Sequence, residues 1–213
     1  MVVATRQTDS SISSGRMLDE DKITKALNFA SSLGAEYAEI RLVSETTNTA
    51  SLKDGKLERA IPGQEVGVTM RILADGAWGV HSTSDISSIV QQVESTFRLA
   101  KAVAARRSPS QTAVGLAEVP IIQDEIHWKS AKDTRDTDLD KRIELMLAID
   151  NEAKDDSRIV STATGWSDEH IHTELMTSEG MNRVWSFQRS LINGMVTARD
   201  GDDVVSYRMR HGG

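Results

Sequence analysis

Apolar positions first recur at helical spacing at Ile23, Ala26, Leu27, Ala30 and Leu33, which share one face of a helix. Asp19, Glu20 and Asp21 load the first turn with negative charge, where the helix dipole favours it. Gly34 stands where a C-cap belongs, so the pattern predicts a helix over 19–33. The period then falls to two. Ala38, Ile40 and Leu42 alternate with Glu39 and Arg41, and Val66, Val68, Met70 and Ile72 alternate in the same way. Asp54-Gly55, Pro62-Gly63 and Asp75-Gly76 are turn signals, because glycine tolerates positive φ and proline fixes its own. With the β-prone stretches 47–52, 57–61 and 77–82, this predicts a four- or five-stranded, mostly antiparallel meander.

A second apolar stripe runs through Ile86, Ile89, Val90, Val93, Phe97, Ala100 and Ala104. It predicts a long helix starting at Ser84 or Asp85 and stopped by Ser108-Pro109. Residues 108–137 read as a connection with one short strand over 121–128. A third helix is expected over 138–154, with two stripes, Leu139/Ile143/Met146/Leu147 and Leu145/Ile149, that pack on more than one side. Strands are expected at 158–164, 170–177, 183–190, 191–199 and 204–210, the last needing a pairing partner. The predicted fold class is α+β, with mostly antiparallel sheets packed against about three helices. The expected organisation is a disordered leader at 1–16, an α+β domain at 17–107, the connection at 108–137, and a helix with antiparallel strands at 138–213.

Composition narrows the function classes. The 213 residues carry 25 basic and 32 acidic side chains, a net charge of −7. Nucleic-acid binding needs a basic stripe, and none is visible along the chain. The absence of cysteine removes disulfides, thiolate nucleophiles and Cys-based metal sites, and suits a reducing compartment. The longest apolar run, 145–149, falls far short of a membrane span of about 18 residues. The polar start of the chain lacks a signal-peptide core. A soluble, cytoplasmic protein without membrane or direct nucleic-acid partners is expected.

The sharpest metal candidates are His170 and His172, flanked by Asp168, Glu169 and Glu174. Residues i and i+2 of a strand share a face, so both imidazoles could reach one ion. The competing reading puts them on the solvated face of an amphipathic strand, with Ile171 and Leu175 facing in. No third ligand is evident nearby. There is no Gly-x-Ser-x-Gly elbow, no phosphate-binding loop and no dinucleotide fingerprint. None of His81, His127, His170, His172 and His211 is followed by Glu, so no zincin motif is present.

Several segments carry a resemblance. They are residues 35–41 (AEYAEIR), 53–58 (KDGKLE), 66–79 (VGVTMRILADGAWG) and 82–85 (STSD). They resemble the N-terminal domain of the TldD/PmbA family, also called the modulator of DNA gyrase family. The 177–180 turn and the closing 211–213 fit the order of that family's middle region. The resemblance implies zinc-dependent peptidases and their partner subunits, acting on peptides as paired or dimeric assemblies. It also implies a His-Glu-x-x-x-His zinc motif beyond the N-terminal domain, which this sequence does not contain. No catalytic residue is carried over. Zinc is expected only in an absent C-terminal half or in a partner.

Three functional readings follow. The first is the N-terminal scaffold and dimerisation portion of such a metallopeptidase, paired with a TldD/PmbA-type subunit as a homo- or heterodimer. The second is a self-standing, non-catalytic peptide-binding or partner module that holds peptide by strand addition. The third is a small metal hydrolase built on His170 and His172.

Overall fold

The computed structural model describes residues 16–108, 110–128 and 133–213. The expected leader falls almost wholly outside these residues. The first helix, α1 (Glu20–Ser32), starts where expected: the Asp19 carboxylate accepts the Lys22 amide. Its buried face is Ile23, Ala26, Leu27 and Ala30.

The meander has three long strands rather than four or five shorter ones. They are β1 (Tyr37–Lys53), β2 (Lys56–Ala74) and β3 (Ala77–Thr83). β1 and β2 pair from Tyr37↔Leu73 to Lys53↔Lys56. The Asp54-Gly55 turn joins them, both residues having positive φ. Pro62-Gly63 is therefore not a turn; Pro62 sits within β2 opposite Asn48. β3 pairs only with the 68–74 part of β2. The proline stretch is thus an open edge, where a missing amide is tolerated.

Residues Ile86–Gln92 wind as a 3₁₀ segment before α2 (Val93–Ala105), so the predicted helix starts in a tighter form. Asp85 explains this locally. Its carboxylate accepts the Ser87 amide and hydroxyl, and its carbonyl accepts the Ser88 hydroxyl, in competition with a regular first turn. β4 (Gln123–His127) lies within the expected 121–128, and α3 (Leu139–Ala153) within the expected 138–154. The next four expected strands are two, β5 (Ile159–Thr177) and β6 (Asn182–Asp200). Gly165 does not break β5, because the Asn193 side chain of β6 lies over it. β7 (Asp203–Gly212) finds its partner in β6.

The sheet order is β3-β2-β1-β5-β6-β4, with β7 also on β6. All pairings are antiparallel except β4 with β6. β1 pairs with β5 from Glu39↔Thr177 to Lys53↔Ala163, so both halves of the chain share one sheet. One face carries the main core, where Ile40, Leu42, Val68, Met70 and Ile72 pack with Ile23, Leu27, Ile89 and Val93. Burying each such side chain contributes about 1.5–3 kcal/mol. A smaller cluster of Ala50, Leu52 and Met146 lies under α3 on the same face. No helix among the described residues is long and apolar enough to cross a membrane.

Candidate functional site

Between these two apolar clusters the helix-bearing face of the sheet turns polar. Register places Ser44, His172 and Ser186 in one row across β1, β5 and β6, with Thr46, His170 and Gln188 in the next and Asn48, Asp168 and Ser190 beyond. His170 and His172 therefore share a face, as their spacing requires. Around His172 that face is not solvated: His172 is only 6% exposed and Glu174 2%, while His170 is partly exposed. Leu175, on the opposite face, is buried as well, at 8%. Both faces of this strand segment are covered, so alternation alone could not say which held the core.

Glu174, Asp168 and Arg142 each reach a partner on another element. The Glu174 carboxylate lies 2.9 Å from His172 Nε2 and accepts the amides of Met17 and Leu18, which pins the start of α1 to β5. Burial pushes this carboxyl up, but the bonds from His172 and the two amides outweigh it and hold the pKa below its ordinary value. His170 is held below the usual histidine value, first by burial and then by the Arg135 guanidinium. Arg135 in turn holds the Asp133 carboxyl down to about 2. The amide and hydroxyl of Thr134 donate to Gln188. Arg142 of α3 reaches Asp168 at 2.8 Å, and Asp168 also accepts the Trp166 indole and the Ser190 hydroxyl.

His127 joins this polar face, which sequence reasoning missed. Its Nδ1 lies 2.6 Å from Ser186 Oγ and its Nε2 2.7 Å from Glu125. The i, i+2 spacing of Glu125 and His127 was the available signal. Among the described residues, no group of three or more His, Cys, Asp or Glu side chains could hold a metal ion. His172 is engaged with Glu174 instead. The chemistry this face performs is to bury and neutralise charge while holding α1, the 133–136 segment and α3 onto one sheet.

The landmark residues on the sequence have structural work of their own. Glu39, 4% exposed, accepts the Tyr37 hydroxyl and the Arg71 guanidinium, and Arg71 lies 4.9 Å from the centre of the Trp78 ring. The Asp75-Gly76 turn has positive φ at both residues. Arg107 donates to both carbonyls of that turn, and Glu36 accepts the Gly76 amide. Gly79 permits the closest approach: a Cβ there would press into the Thr96 carbonyl and lie 2.9 Å from the Ala100 nitrogen, so α2 can sit directly on β3. At the other end of β5, Ser178 exchanges bonds with the Ala38 backbone.

Two family models match the chain in sequence order. PmbA/TldA metallopeptidase domain 1 matches residues 38–105, and the PmbA/TldA metallopeptidase central domain matches residues 132–213. A metalloprotease of Methanocaldococcus jannaschii is 25% identical over 199 residues, covering 92% of this chain and 42% of that relative. A metalloprotease of Methanothermobacter thermautotrophicus is 28% identical over 145 residues, covering 68% of this chain and 30% of its own length. The chain thus spans less than half the length of these curated relatives. Among solved structures, a protein described as a modulator of DNA gyrase from Bacteroides thetaiotaomicron superposes with a TM-score of 0.66 at 21% identity, over 92% of this chain and 46% of that one. TldE from Thermococcus kodakarensis gives 0.59 at 14% identity, over 90% and 42%. These two likenesses are of fold.

Proposed function

The chain belongs to the PmbA/TldD metallopeptidase family, and on that premise we propose that it is the N-terminal scaffold and dimerisation portion of a cytoplasmic, peptide-processing metallopeptidase, without the zinc site itself. The observation that carries this reading is the order of the matches. Domain 1 and the central domain follow one another along the chain, which spans 42% and 30% of two metalloproteases. The sequence contains no His-Glu-x-x-x-His. Zinc, which would polarise a peptide carbonyl and activate water, belongs in this reading to a further segment or to the partner. The residues of this chain bury charge and fix the sheet. Domain boundaries at 17–107 and 138–213 are part of the same proposal, with one sheet running through both.

A second reading, a non-catalytic peptide-binding subunit, is favoured by the sheet face opposite the helices. There Val43 is 37% exposed and Trp128, stacked edge-on with Phe187, is 57% exposed. Both readings require a second subunit or a peptide on this scaffold. The test is native mass spectrometry of the chain alone and mixed with a TldD-type subunit. The proposal expects a dimer in at least one condition. A chain that stays monomeric in both contradicts the assembly role.

A further inference from the structure

The row that crosses the sheet at His172 ends on a second imidazole. Ser44, His172, Ser186 and His127 stand side by side on β1, β5, β6 and β4. Parallel pairing of β4 with β6 puts His127 opposite Ser186, and the ring Nδ1 lies 2.6 Å from Ser186 Oγ. Glu125, two residues earlier on the same face of β4, lies 2.7 Å from Nε2 of that ring. A hydroxyl, an imidazole and a carboxylate are thus joined in series. His127 is partly exposed and Glu125 more so, which leaves the series open to solvent at its β4 end. The other half of the row differs. Ser44 lies opposite His172, but its hydroxyl is buried and makes no hydrogen bond.

From this geometry we infer that Ser186 is a nucleophile toward small activated acyl donors such as aryl esters, with His127 as its general base and Glu125 as the positioning residue. A serine hydroxyl is a weak nucleophile until a neighbouring base takes its proton, and the contact with His127 is short enough for that transfer. Glu125 accepts the Nε2 proton, which leaves the Nδ1 lone pair turned toward Ser186. Oγ attacks the ester carbonyl carbon while its proton passes to Nδ1. The bond from that carbon to the aryl oxygen then breaks, and the leaving oxygen takes the proton back from Nδ1. The products are acyl-Ser186 and a phenol, with no oxidant, reductant or metal consumed. Ser186 is 9% exposed, so only a compact acyl group reaches it. β6 is paired on both sides at this point, so its amides serve the sheet rather than a developing oxyanion. The acyl group therefore persists on Ser186 instead of turning over fast. This reactivity is independent of zinc and of the peptide-holding reading.

The test is p-nitrophenyl acetate added to the full chain, followed by intact mass spectrometry and peptide mapping. One acetyl group per chain is expected, and it maps to Ser186. Ser186→Ala removes it. His127→Gln slows acetylation by about a hundredfold or more. His127→Ala does the same and is partly restored by added imidazole, which a merely structural histidine would not allow. Glu125→Gln slows the reaction by about tenfold or more, and nitrogen-15 spectra of the His127 ring report the change of tautomer. Far-ultraviolet circular dichroism checks that each variant keeps the sheet, so a lost hydroxyl or base is read apart from a lost fold. Acetyl groups spread over lysines with none on Ser186 overturn the inference. An unmodified chain overturns it as well. So does acetylation of Ser186 at an equal rate in His127→Gln, because the hydroxyl would then owe nothing to the imidazole.

Discussion

Arg142 of α3 and Asp168 of β5 form an ion pair at 2.8 Å with both side chains more than nine-tenths buried. Three further polar groups converge on it: the Thr134 carbonyl on Arg142, and the Trp166 indole and Ser190 hydroxyl on Asp168. The pair therefore ties α3, the 133–136 segment, β5 and β6 at one point. Replacing one partner leaves the other charged and dry, which costs about 3–5 kcal/mol. Arg142→Met is expected to lower the urea midpoint by that equivalent. Asp168→Asn, which keeps the Trp166 and Ser190 acceptor, should cost less. Equal and small shifts for both variants would mean that water reaches the pair.

Gly79 and Gly67 are both strand glycines, yet their surroundings differ. A Cβ at Gly79 meets the backbone of α2, whereas at Gly67 nothing lies within 4 Å. Gly79→Ala must push α2 off β3 and should destabilise by about 1–3 kcal/mol or more. Gly67→Ala should be neutral or stabilising within about 1 kcal/mol, since a strand interior gains from a side chain. Thermal denaturation of the two variants checks this, and a reversed order would contradict the packing of α2 on Gly79.

Several groups contribute to acid sensitivity, and two of them lie on the polar face of β5. Glu174 and His170 both have pKa values lowered in the folded state, from about 4.5 and 6.5. A lowered folded pKa means that the unfolded chain binds the proton more readily. The stability each contributes is complete above its unfolded value and is lost as pH falls through its folded value. Stability should thus begin to fall below about pH 6.5 through His170 and fall further below about pH 4.5 through Glu174. Glu174→Gln should flatten the second decline, with less stability already at pH 7 because the Met17 and Leu18 amides lose a charged acceptor. Denaturant titrations of both proteins from pH 7 to pH 3.5 measure this. Parallel curves would contradict the role of Glu174.

Much of the fold was legible from period and turns. The start of α1 near Asp19, the Asp54-Gly55 hairpin, the Asp75-Gly76 turn and the short β4 all lie where pattern placed them. Strand lengths were not legible. Pro62 and Gly165 look like breaks, but one lies on an open edge and the other is filled by Asn193. Those facts are set by residues far away in sequence. The histidine pair shows the same limit. Its shared face followed from the i, i+2 spacing, while the burial of His172 beside Glu174, which Met17 and Leu18 reach from the start of α1, is set by contacts distant in sequence. The contribution of His127 was hidden because β4 joins β6 in parallel across a long connection.

The central claim is that this chain frames a metallopeptidase without supplying its metal. The most direct measurement is the zinc content of the purified chain, taken with its hydrolysis of an unstructured peptide, before and after a His170→Ala/His172→Ala double substitution. The account predicts zinc well below one per chain, no hydrolysis by the chain alone, and no change on substitution. One zinc per chain, with peptide cleavage, both lost in the double variant, would contradict it.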